Sequence, residues 1–180
     1  KKNNLTVRGF DICDSPTTDY LIDFKDTQKL SDLIKKVCSS YKMSVCCIYC
    51  AIPGNRIRGN GSLKDFFMQE DNILNLQYNS LLAIAIALEA LTDKNTSKYH
   101  EKVKNYLISI GSVLSERKSL VESPLYSASK AASLSLIKYL SLKLRDKDII
   151  CNTISPGLMA RNEKSKAYLI GRLSRFDKNI

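Results

Sequence analysis

The feature that most restricts the fold of this chain is a steady alternation of short β-prone runs with helical stretches. Strands joined through helices run parallel, because each crossover carries the chain back to the same end of the sheet. Thr6 to Ile12 reads as a first strand ending near Asp11, and Tyr20 to Phe24 as a second that carries Asp23. Leu30, Leu33, Ile34 and Val37 recur at helical spacing, which predicts a helix over Thr27 to Ser39. Val45 to Ala51 lacks polar alternation and reads as a strand covered on both faces. A long helix is predicted from about Leu63 through Leu91, broken near Glu70 or Asp71, followed by an exposed polar connection from Lys94 to Lys104. Asn105 to Ile110 is a strand, Ser123 or Pro124 opens a helix reaching about Arg145, and Ile149 to Ser155 is a strand closed by Pro156-Gly157. A basic helical tail follows. The expected class is α/β: a doubly wound, mostly parallel sheet with helices on both faces, in one domain over residues 1–180.

Charge and composition bear on partners. The net charge of +10 is the first mark of a nucleic-acid binder. Its basic residues are spread along the whole chain, however, with no Trp and no glycine-rich aromatic RNA-binding motif. That argues against nucleic acid. The densest basic stretch, Arg161 to Lys178, could meet a phosphate-bearing substrate, but a solvated face is the better account. The longest apolar run, Leu81 to Leu88, is far shorter than the roughly 20 residues of a membrane helix, and no signal peptide follows Lys1-Lys2-Asn3-Asn4. The expectation is a cytoplasmic protein outside the membrane. Cys47-x-x-Cys50 has metal or redox spacing, yet no second pair exists and His100 is the only histidine. Cysteines in the run Val45 to Ala51 therefore read as small buried hydrophobes, with no metal site.

Tyr126 and Lys130 stand four residues apart near a helix start, so their side chains share a face. A free phenol ionises near pH 10 and is a poor proton carrier at neutrality. An ammonium one turn away favours the phenolate, so such a pair can exchange a proton with a hydroxyl or carbonyl. Upstream, Leu107-Ile108-Ser109-Ile110-Gly111-Ser112 is a strand ending in a hydroxyl; downstream, Asn152-Thr153-Ile154-Ser155-Pro156-Gly157 closes the next strand.

Strand–Ser, Tyr126-Ser-Ala-Ser-Lys130-Ala-Ala and Asn152-x-Ile-Ser-Pro-Gly157, in this order, closely resemble the short-chain dehydrogenase/reductase family over about Thr6 to Phe176. The resemblance implies a Rossmann-like fold and an NAD(P)-dependent oxidoreductase acting on a small hydroxyl or carbonyl substrate. It gives Ser112 the orientation of the substrate oxygen, Tyr126 the proton transfer, and Lys130 a hold on the nicotinamide ribose. The spacing from Ser112 to Tyr126 is one residue longer than usual for the family, implying a one-residue loop insertion. Asn75 in Ile73-Leu74-Asn75-Leu76 resembles the asparagine that supports a proton-relay water. Asp11 resembles the acidic residue that binds the adenosine ribose hydroxyls, which favours NAD over NADP. Asp23 and Phe24 resemble the pair at adenine. Tyr49-Cys50-Ala51 stands where the family has Asn-Asn-Ala, and Pro156, Gly157 and Met159 resemble the loop against the nicotinamide carboxamide. Arg161 replaces a threonine often found there. Relatives commonly pair through helices around Asn75 and Tyr126, implying a homodimer or homotetramer.

The resemblance also shows what the sequence lacks. The family opens with a strand and Thr-Gly-x-x-x-Gly-x-Gly, the turn that cradles pyrophosphate; none of the seven glycines forms it. Leu173-Ser174-Arg175-Phe176 resembles the segment before the family's last helix and strand. The expectation is an incomplete domain, either a fragment of a longer gene product or a decayed copy, in which strands beside the missing first strand keep unpaired backbone. A non-catalytic relative acting as a binding or scaffold protein is the alternative.

Overall fold

The computed structural model describes residues 6–41, 44–51, 62, 64, 70–92, 104–117, 123–157, 163 and 166–167. In chain order these form β1 (Phe10–Asp11), β2 (Tyr20–Leu21), α1 (Thr27–Ser39), β3 (Cys46–Tyr49), α2 (Glu70–Thr92), β4 (Asn105–Ile110), α3 (Pro124–Lys143) and β5 (Ile149–Ile154). Short 3-10 turns cover Val113–Ser115 and Arg145–Lys147. Among the described residues every strand pairing is parallel, and the sheet is in two pieces, β1-β2 and β3-β4-β5. In the larger piece Cys47 lies opposite Leu107, and Leu107 opposite Cys151. The α/β class and the parallel, incomplete sheet are as expected.

Local chemistry explains the helix boundaries. Asp26 caps α1, its Oδ1 accepting from the Lys29 backbone N–H at 3.1 Å, and Leu30, Ile34 and Val37 form the buried stripe. Ser123 caps α3 by accepting from the Leu125 N–H at 3.2 Å, with Pro124 in the first turn, where a missing N–H costs nothing. The chain leaves the turn after α3 through Asp148 in the left-handed region (φ 55°) before entering β5. Among the described residues α2 starts at Glu70, and the helix expected before it lies outside them apart from Lys64. The connection Lys94 to Lys104 and the basic tail fall almost wholly outside the described residues, as does the stretch Leu63 to Gln69 apart from Lys64.

α2 lies between α1 and α3, and the core joins all three to the sheet: Leu30, Ile34, Leu81, Ile84, Leu88, Leu107, Leu136, Ile137, Leu140 and Ile149 are all buried. By length and composition alone, Ile73–Thr92 would pass for a membrane-crossing segment, although no single apolar run in it is long. Half of that window is buried inside the fold, and its buried stripe includes Gln77 and Ser80. It is packed here as a core helix.

One expectation needs correction. Val45 to Ala51 is not covered on both faces: Tyr49 is buried, but Cys46 and Cys50 are exposed and Ile48 is 63% exposed. The same alternation continues across the sheet, with Leu107 and Cys151 buried while Ile150 and Ile154 are exposed. Successive strand side chains point to opposite faces, so the three described helices all pack on the Leu107 face. An all-apolar strand does not reveal which face is covered. Cys46 and Cys50 consequently stand in solvent rather than acting as buried hydrophobes. Cys38 and Cys47 are within hydrogen-bonding reach of each other; this contact holds the Cys38 thiol below its ordinary pKa and, with burial, raises that of Cys47. Among the described residues, no three His, Cys, Asp or Glu side chains are placed to hold a metal ion.

The first two strands are shorter than predicted. Each has one strand neighbour among the described residues, so pairing ends after two residues. The pair is attached to the core by side chains: Phe10, Ile22 and Phe24 pack against it, and the Phe24 ring stacks on Tyr49 at 6.1 Å. Gly9 is required where the chain doubles back, because a Cβ there would sit 1.7 Å from the Thr17 carbonyl oxygen.

Candidate active site

The C-terminal ends of β3 and β4 meet α2 and α3 around one buried ammonium. Lys130 is only 4% exposed, in a position where lysine is rarely found without partners. Its Nζ donates to the Ile110 carbonyl at the end of β4 at 2.8 Å and to Gln77 Oε1 on α2 at 3.1 Å. Gln77 is 1% exposed, and its Nε2 donates to the Ala51 carbonyl just past β3. The Lys130 ammonium lies 5.9 Å from the centroid of the half-buried Tyr126 ring, so the i, i+4 pair does share one helix face.

Ser112 is buried in extended backbone (φ −162°, ψ 149°) and caps the 3-10 turn, with Oγ accepting from the Leu114 N–H at 3.2 Å. That turn packs against α3. The β4–β5 ladder continues beyond both strands: Gly111 N–H donates to Ile154 O at 2.8 Å, and Val113 N–H to Pro156 O at 3.2 Å. Pro156 is thereby brought beside Ser112 and Val113. A Cβ on Gly111 would approach Thr153 Cγ2 to 2.8 Å and Ser155 Oγ to 2.9 Å, so glycine is what lets the two strand ends close up.

The other expected site residues are placed as follows. Asn75 is exposed, and its Oδ1 accepts from Asn79 Nδ2 at 3.3 Å; the α2 residue seen bonded to Lys130 is Gln77. Asp11 is exposed at the end of β1, with Oδ1 accepting from the Cys13 N–H at 3.1 Å. Asp23 is exposed and turns inward on its own loop, accepting from the Lys25 N–H at 2.9 Å. Phe24 is committed to the core and Cys50 is exposed. Gly157 borders open space, since a Cβ there would meet nothing within 4 Å. Met159 lies outside the described residues.

No motif marks Gln77, although its spacing along α2 does. Ile73, Gln77 and Leu81 are four residues apart on the apolar stripe of α2 and all are buried, whereas Asn75 lies off that stripe.

Tyr49 supports this corner from the core side. Its hydroxyl donates to Leu76 O at 2.9 Å, and burial pushes its pKa up to about 12. A phenol whose folded pKa is raised stabilises the fold below its unfolded value near 10 and loses that contribution as pH climbs toward 12. Urea unfolding between pH 9 and 12 is therefore expected to show stability falling by up to about 3 kcal/mol from this group. Tyr49→Phe should flatten that slope, and an unchanged slope would exclude the assignment.

A family model described as Enoyl-(Acyl carrier protein) reductase matches residues 18–176. The chain belongs to the short-chain dehydrogenase/reductase family. No curated protein sequence matches it significantly. Solved structures of this family share its fold at low identity. Sorbitol-6-phosphate 2-dehydrogenase SrlD from Erwinia amylovora has a TM-score of 0.63 at 17% identity, covering 88% of this chain and 58% of that one. The 3-oxoacyl-[acyl-carrier protein] reductase from Brucella melitensis, in complex with NAD, has a TM-score of 0.62 at 19% identity, covering 86% and 58%. ElxO with NADP bound has a TM-score of 0.62 at 17% identity, covering 84% and 57%. This short-chain dehydrogenase/reductase chain thus spans less than two thirds of the length of each. Members of the family bind NAD or NADP.

The chain's fit to such a dinucleotide is uneven. Lys130 joins the Tyr126 ring to the Ile110 carbonyl at the end of β4, two residues before Ser112, and Gly157 past the end of β5 borders open space. For the pyrophosphate, the 180 residues contain no Gly-x-x-x-Gly-x-Gly sequence.

Proposed function

We propose that the chain is the catalytic part of an NAD(P)-dependent oxidoreductase in which Tyr126 exchanges the proton of a hydroxyl or carbonyl substrate. The observation that carries this reading is the buried Lys130 ammonium held beside the Tyr126 ring. A buried cation favours a developing phenolate far more than a solvated one does. Ser112 uses an Oγ lone pair to cap Leu114 but keeps its O–H, which donates to the substrate oxygen and orients it. Lys130 would also hold the nicotinamide ribose. The nicotinamide, when bound, supplies or receives the hydride at its C4. Asp11, exposed at the end of β1, accepts from the adenosine ribose and repels a 2′-phosphate, which selects NAD over NADP. The substrate is a small hydroxyl or carbonyl compound, the assembly a homodimer or homotetramer, and the compartment the cytoplasm.

Calorimetric titration tests the cofactor reading. The 180 residues alone are expected to bind NADH weakly or not at all. A chimera carrying a relative's first strand and glycine-rich turn ahead of Lys1 should bind NADH, and bind it more tightly than NADPH. Tight NADH binding by the 180 residues would show that the glycine turn is dispensable, and preference for NADPH would remove the role of Asp11.

A second reading, a non-catalytic binding or scaffold relative, draws on Cys50 standing exposed where the family has asparagine and on Asn75 facing solvent. It predicts that Tyr126→Phe leaves the native function unchanged.

A further inference from the structure

Resting on the reading of Tyr126 and Lys130 above, we propose that Gln77 is the positioning residue of this site, fixing the Lys130 ammonium against the ends of β3 and β4.

The Ala51 carbonyl can only accept and the Lys130 ammonium can only donate, so the Gln77 carboxamide lying between them has one satisfactory orientation. Nε2 faces β3 and Oε1 faces the ammonium. No other neutral side chain of this length offers a donor at one end and an acceptor at the other. Leucine and methionine offer neither, glutamate offers only acceptors, and asparagine is one methylene shorter. Gln77 thereby ties α2, α3 and the strand ends into a single unit. With Ile110 O it occupies two of the three ammonium donors, and this fixes the cation relative to the Tyr126 ring. A group placed to within about half an ångström is what proton transfer at that phenol requires. Asn75, exposed and bonded to Asn79, is not placed to do this.

The test has a readout independent of turnover. A lysine ammonium that is buried and hydrogen-bonded exchanges its protons slowly enough to give a 15N–1H NMR signal. The signal of Lys130 is identified by its loss in Lys130→Met. We expect it to persist in the wild-type chain, to vanish in Gln77→Met, to return at a shifted frequency in Gln77→Glu, and to be unchanged in Asn75→Ala. An unchanged signal in a folded Gln77→Met protein overturns the proposal, as does loss of the signal in Asn75→Ala. Should Gln77→Met not fold, the size-matched Gln77→Glu decides, because an unshifted signal there overturns it equally. In the cofactor-binding chimera, Gln77→Met should lower kcat about tenfold with KM held within about twofold, the pattern of a group acting only in the transition state. Failure of the underlying reading looks different: Tyr126→Phe would then leave turnover intact, whatever the NMR signal does.

Discussion

Tyr126→Phe is expected to lower turnover by about 10²- to 10⁴-fold in the cofactor-binding form. The substitution removes one oxygen from a half-buried ring in the first turns of α3, and urea unfolding of the same variant separates a loss of stability from a loss of rate. Ser112→Ala is a less clean probe. Its Oγ also caps the turn to Leu114, and losing such a cap costs about 1 kcal/mol of stability in addition to any effect on rate. Steady-state kinetics with NADH and a panel of small ketones would provide the measurement. Retained turnover in Tyr126→Phe would remove the acid–base role and leave the scaffold reading in its place.

The second large effect concerns stability. Leu107→Ala, in the middle of the central strand β4, is expected to cost about 2–5 kcal/mol, because the side chain is wholly buried among α2, α3 and its strand neighbours. Ile48→Ala on the adjacent strand should cost about 0.5 kcal/mol or less. Its side chain belongs to the opposite face and is 63% exposed. Urea unfolding of the two variants compares the faces of one sheet under one set of conditions. Comparable losses would mean that a second layer covers the Ile48 face.

These two experiments follow the division between what the residues disclosed by themselves and what they did not. The helix Thr27–Ser39 and the strand Asn105–Ile110 lie where the pattern placed them, because amphipathic spacing and a bounded apolar run are local signals. That Tyr126 and Lys130 share a helix face and that Ser112 follows a strand end were legible for the same reason: each rests on residues close in the chain. The covered face of β3 was not legible, since Cys46, Cys47, Ile48 and Tyr49 are all apolar enough to face a core. Only the arrangement of the helices decides which of them do. Gln77 was hidden by distance, for its partner Lys130 is 53 residues away, and a motif-based reading fell on its neighbour Asn75. Asp11 ends β1 and Asp23 lies on the loop two residues past β2, and both carboxylates are engaged by nearby backbone N–H groups, a local detail no motif conveys.

The exposed face of the three-stranded sheet has a consequence for how molecules of this chain behave toward one another. Ile48, Ile150 and Ile154 form an apolar surface next to β3, an edge strand among the described residues. Such edges invite pairing between molecules unless something opposes it. Here the opposition is long-range: a net charge of +10 makes every copy repel every other. That repulsion reaches only about 8 Å at physiological ionic strength and about 30 Å in dilute buffer. Colloidal behaviour is thus set by salt, with dilute buffer keeping copies apart and added electrolyte bringing the exposed strand faces within reach of each other.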